Sequence, residues 1–197
     1  MLFDDLRDWW IRRQTRRLPV TPLDRVADGA RVKIAGRVDV GHTPLEAPIT
    51  GRPCAAWSVE LQDGSSFTSL LVEVRAQDFV LRDGSARTAL VRANKASIAF
   101  ESDAAVWQRT VTERMRVFLA RHHIPAGGVY GGFYGSGPLR YLEGAIEAGE
   151  EITAVGTARL ELDASGESSA SYREPPMRVV LDAPLWILDG PARWRVD

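Results

Sequence analysis

From Arg31 to Val40 the chain alternates: Val32, Ile34, Gly36, Val38 and Val40 share one parity, while Arg31, Lys33, Arg37 and Asp39 share the other. A period of two with β-branched residues predicts a strand with one face in a core and one in water. The signature recurs along the chain. Cys54–Gln62 carries Trp57, Val59 and Leu61 on one face, and the turn Asp63-Gly64-Ser65-Ser66 returns the chain into Phe67–Ala76. Phe79–Ser85 reads as a further strand and turn, and Ala86–Val91, Ser97–Glu101, Ile152–Leu162, Met177–Leu181 and Leu185–Leu188 continue the pattern, whereas Gly41–Pro53 is turn-rich.

Two segments have helical periodicity instead. In residues 2–18, Leu2, Phe3, Leu6, Trp9 and Trp10 form one stripe; acids come early and Arg12, Arg13, Arg16 and Arg17 late, as the helix dipole favours, before Pro19 and Pro22. Residues 103–123 form the second, central helix, with Asp103 at its N-cap. Tyr141–Ala148 reads as a helical turn and residues 127–137 as a glycine-rich loop. The expectation is a mainly β chain with some α (α+β): a small β-barrel or sandwich, OB-like, with one central amphipathic helix and an N-terminal helix. Residues 1–22 would be the N-terminal helix and 23–197 a single β-rich domain.

Composition narrows function. The 197 residues are 45% hydrophobic and 26% charged, with a net charge of -1, which argues against a dedicated duplex DNA or RNA binder. One cysteine excludes a disulfide scaffold. No apolar run is long enough to cross a membrane and the start lacks a basic n-region, so a cytoplasmic protein is expected.

No residue set points to catalysis. Cys54 sits beside Pro53, Ala55 and Ala56, with no base nearby in sequence, and reads as a small buried hydrophobe. His122 and His123 point about 100° apart on a helix and chelate one ion poorly. The glycines at 127–137 lack both a phosphate-loop lysine and a G-x-G-x-x-G spacing. Glu143, Glu147, Glu150 and Glu151 read as a solvated acidic face, with Glu143 the member to watch. No metal or cofactor is expected. The candidate contact residues are Trp9, Trp10, Arg12, Arg13 and Arg16 on the first helix, Tyr130, Phe133 and Tyr134 on the glycine-rich loop, and Glu143.

Four segments in order carry a family resemblance: Gly36 in its strand; Pro44, Leu45, Pro48, Ile49, Gly51 and Cys54; Phe79, Leu81, Asp83 and Gly84; then Glu143, Ile146, Gly149, Glu150, Ile152, Val155 and Gly156. Over roughly residues 30–160 the chain resembles the GIDE, or beside-a-membrane (BAM), domain of Mulan-type E3 ubiquitin ligases and its bacterial relatives. The RING of those ligases needs eight Cys/His ligands, and this chain has one Cys and three His, so ligase chemistry does not carry over. The resemblance implies a non-catalytic interaction or regulatory module that binds a protein partner. Two other readings stay open. One is single-stranded nucleic acid on an OB-like barrel, hinted at by Arg31, Lys33 and Arg37 with Trp57. The other is docking of residues 2–18 on an anionic membrane surface, against packing of that helix on its own barrel.

Overall fold

The computed structural model describes residues 11, 13, 15, 18–63, 68–100, 106–107, 111–124, 139–163 and 177–190. Among them are eleven strands: β1 (Arg31–Asp39), β2 (Leu45–Glu46), β3 (Pro53–Asp63), β4 (Ser69–Ala76), β5 (Phe79–Arg82), β6 (Thr88–Val91), β7 (Ser97–Ala99), β8 (Val106–Trp107), β9 (Leu139–Glu147), β10 (Glu151–Leu162) and β11 (Met177–Asp189). The helix α1 spans Glu113–Arg121.

Five strands close on themselves. β1 pairs with β10 over Arg31–Arg37 and then bends onto β5 over Arg37–Asp39. The ring continues from β5 to β6, from β6 to β11, and from β11 back to β10; it is antiparallel except at β6–β11. Closure leaves no strand of this ring with an open edge. The alternation in β1 fills its interior: Val32, Ile34 and Val38 join Leu81, Ile152, Leu181 and Ile187 in one cluster. Gly36 marks the crossing point, because a Cβ there would lie 2.8 Å from the Arg82 carbonyl oxygen.

A second sheet lies outside the ring in the order β2–β3–β9–β8, with β4 also on β3. Its central strand, β3, buries Trp57, Val59 and Leu61 on one face and Ala56 and Gln62 on the other, with Ser58 and Glu60 half-buried. In the pairing with β9, Cys54 faces Glu147 and Ala56 faces Ile146, so Ala55 is an extra, bulged residue. The bulge changes parity. Ala55 and Ala56 join the ring's core, while Cys54, Trp57 and Val59 face the other way and pack with Phe118 of α1.

The central helix is shorter than the sequence suggests. Asp103 lies outside the described residues, Val106–Trp107 pair with β9 as β8, and Thr112 caps α1 by accepting from the Met115 N–H. Buried Met115, Phe118 and Leu119 hold α1 on the sheet. At its other end Ile124 N–H bonds Leu119 O and His123 N–H bonds Ala120 O, with His123 at φ 57°: a Schellman motif with histidine where glycine is usual.

Tyr141–Ala148 is not a helical turn but most of β9. Both faces of β9 are packed, so the polar parity that would reveal a strand is missing. Likewise, β11 is one strand where two short ones are expected. Its pairing with β10 skips from Trp186 to Asp182, and Ala183-Pro184 bulges out there, Pro184 having no N–H to give a ladder. The turn-rich stretch Gly41–Pro53 also holds the two-residue strand β2.

Candidate functional site

The segment Ala47–Arg52 folds as a tight loop. Ala47 N–H bonds Arg52 O, Gly51 N–H bonds Ala47 O, and Gly51 takes φ 75°, a conformation that glycine adopts without a side-chain penalty. Glu143 of β9 clamps this loop. Its Oε2 accepts from Ile49 N–H at 2.8 Å, and its Oε1 accepts from Thr50 N–H at 3.2 Å and from the Thr50 hydroxyl. Arg52 adds charge at 3.8 Å. The clamp continues down the seam between the two sheets. Arg52 bonds Glu147 at 2.7 Å, Glu150 Oε2 accepts from Glu147 N–H, and Gly149 N–H and Glu150 O bond Val38 of β1.

The expected acidic face therefore does not form around Glu143. That carboxylate is buried, and its oxygens are committed to holding a loop. Asp83 works in the same way, accepting from Leu23 N–H at 2.7 Å and Ser85 N–H at 2.9 Å. Burial raises the Asp83 pKa, but these bonds outweigh it and the group sits below its ordinary value.

The clamped loop forms one wall of a groove of about 470 Å³. Leu45, Glu46 and Pro48 line that side, with Trp57 and Arg75 of β3 and β4 at the base. The opposite wall is a single helical stripe of α1: Arg114, Val117, Phe118 and Arg121. The Arg75 guanidinium lies 5.8 Å from the centre of the Trp57 ring, and Arg121 lies 5.3 Å from that of Phe118. Both arginines bond one carboxylate, Glu73, each at 2.8 Å, and His122 Nε2 lies 2.7 Å from it. Burial raises the Glu73 pKa, yet the bonds from Arg75 and His122 and the charge of Arg121 bring it below its usual value. Arg114 pairs with Glu46 at 3.2 Å. Glu113 also lines the groove, so its floor is apolar and its rim carries both arginines and glutamates.

Cys54, behind the floor, is buried and directs its thiol at Leu45 O, 3.6 Å away. Burial, assisted by the charge of Glu143, pushes its pKa up to about 11, which opposes formation of the thiolate a nucleophile needs.

Of the residues singled out in the sequence, Trp9, Trp10, Arg12, Arg16, Tyr130, Phe133 and Tyr134 lie outside the described residues. Ile11, Arg13 and Thr15 are helical, with Arg13 exposed and Ile11 and Thr15 buried. Lys33 Nζ reaches Thr15 O at 3.4 Å, which ties this helix to β1. Arg31, Lys33 and Arg37 do not share a face with Trp57: they stand on the ring, with Arg31 over Trp186 at 4.5 Å, while Trp57 faces α1 in the outer sheet. His122 and His123 do not sit on the helix as expected: both lie beyond α1, with His122 Nε2 2.7 Å from Glu73 and His123 in the left-handed conformation that ends the helix. Among the described residues no helix is long and apolar enough to cross a membrane.

The groove residues Arg75, Arg114, Val117 and Arg121 were not legible in advance. The usable signal is the Arg114, Val117, Phe118, Arg121 spacing, hidden when 103–123 is read as one long helix. Comparison with protein families, curated sequences and solved structures finds no match to this chain.

Proposed function

We propose that this protein is a non-catalytic interaction module that receives a protein partner in the groove between α1 and the Leu45–Pro48 wall. The observation that carries the reading is the groove itself: a concave surface over the buried Trp57 and Phe118, lined by exposed Val117 and by Arg75, Arg114 and Arg121 alternating with Glu46 and Glu113. Arginine is enriched at protein interfaces, and the exposed Val117 offers apolar surface that a partner would take out of water. Glu143 and Cys54, behind the wall, are committed to structure, and Glu46 in the wall is paired with Arg114, which supports a binding role over a catalytic one. The five-strand ring is read as an OB-like barrel, with β6 and β11 as its parallel pair, and the outer sheet and α1 as insertions. The residues that resemble the GIDE domain fit this reading as scaffold. Gly51, Glu143, Gly149 and Glu150 build the seam that positions the groove wall.

Site-specific photo-cross-linking in the native cells tests the proposal. A photoreactive residue replaces Val117 in one variant and Leu162 in another; both side chains are 64% exposed, but only Val117 lines the groove. A discrete polypeptide adduct from position 117 alone is expected. Equal adducts from both positions, none from 117, or only nucleic acid or lipid there would overturn it.

A further inference from the structure

β4 is an edge strand: among the described strands it pairs with β3 alone. Its exposed surface is unusual. Five large apolar side chains stand exposed among the described residues, and three of them belong to this corner: Val72 (51%), Val74 (45%) and Val117 (64%). The two faces of β4 differ sharply. Val72 and Val74 stand opposite Glu60 and Ser58 on the face away from α1, while Glu73 and Arg75 stand opposite Val59 and Trp57 on the α1 face. On that α1 face, the two guanidiniums of Arg75 and Arg121 share the single carboxylate of Glu73. The cluster is left with one net positive charge beside an unpaired row of backbone donors and acceptors. Natural edge strands are guarded by charges, proline, bulges or a covering loop; Ser69–Ala76 has no lysine or proline, and its two charges, Glu73 and Arg75, both lie on the α1 face and leave the face of Val72 and Val74 unguarded.

We propose that the outer edge of β4 takes up an extended segment of the partner protein as an added strand. The segment carries a carboxylate on the face toward Arg75 and Arg121, and branched apolar side chains on the face of Val72 and Val74. Backbone hydrogen bonds supply affinity, and the alternate faces supply specificity. This rests on the groove being a protein-binding site, and it names how the partner enters that site.

The test uses the full chain and the labelled peptide GTVEVTG, whose glutamate shares one face with two threonines and whose valines share the other. GTEVVTG, of the same composition with the carboxylate on the other face, and GTVKVTG are the controls. Sub-millimolar binding of GTVEVTG is expected, with about tenfold weaker binding of both controls. The Arg121→Gln variant, which removes the charge without setting a second carboxylate against Glu73, should lose about as much, as should Val72→Lys combined with Val74→Lys at two exposed positions; circular dichroism should show all of these variants folded. Amide hydrogen exchange should slow along β4 in the complex and leave β1 and β10 unchanged.

Equal binding of the three peptides, no binding, or exchange protection elsewhere overturns the proposal. So does a concentration-dependent dimer that the double lysine variant dissolves, since the edge would then be taken by a second copy. If cross-linking at Val117 persists unchanged in the double lysine variant, the groove reading stands and strand addition falls.

Discussion

β1 and β4 carry similar local signals and meet opposite environments. Both alternate branched apolar residues with charges: Val32, Lys33, Ile34 in one, and Val72, Glu73, Val74, Arg75 in the other. In β1 the apolar parity is sealed inside the ring. In β4 the apolar parity is exposed, and the charged parity turns toward α1. Alternation specifies a strand but not which parity meets the core. That choice comes from the neighbours: β1 has a partner on each side and a closed interior, whereas β4 has one partner and an open flank.

The sharpest way to break this comparison is to alter one residue in each strand and one in the seam between the sheets. Ile34→Ala removes a fully buried side chain from the ring and should cost about 2–5 kcal/mol in urea unfolding. A cost near zero would mean that the ring is not the main core. Glu143→Gln should cost less, about 1–3 kcal/mol, because the amide keeps part of the clamp but replaces acceptor capacity with an N–H₂ that the loop donors cannot use. Hydrogen exchange should then speed up at Ile49 and Thr50 while β1 and β10 stay protected; uniform loosening would place Glu143 in the main core instead of the seam. Val74→Thr should shift stability by no more than about 0.5 kcal/mol. A larger loss would show that the β4 flank is already covered within the chain.

Much of the ring was legible because each of its strands keeps a polar outer parity or a clear turn at its end. The β1 face Val32, Ile34, Gly36, Val38 is the plainest case, and the structure keeps it. The outer sheet was harder to read. β9 lost its period of two because Tyr141 and Ala145 pack under α1 and Glu143 is buried against the Ile49–Thr50 loop, while Ile146 reaches the ring. With β9 read as helix, Glu143 became an exposed acid, and its long-range bonds to Ile49 and Thr50 were invisible. No local pattern encodes a contact between residues more than ninety positions apart. The groove was hidden for the same reason. Its walls come from Leu45–Pro48, from β3 and β4, and from a helix whose start was misplaced by nine or ten residues because Val106 and Trp107 continue a helical stripe into a strand.

The bulge at Ala55 acts on side chains as a frameshift acts on codons. One added residue leaves the path of β3 intact but changes the meaning of every position on one side of it. Upstream, Cys54 is read into the compartment under α1; immediately downstream, Ala56 is read into the ring. A single strand therefore serves as a wall shared by two rooms. Deleting Ala55 would remove no large side chain, yet it would put Cys54 and the Leu45 wall in the wrong room. The binding groove and the barrel are thus tied to one another by a residue whose own side chain is a single methyl group.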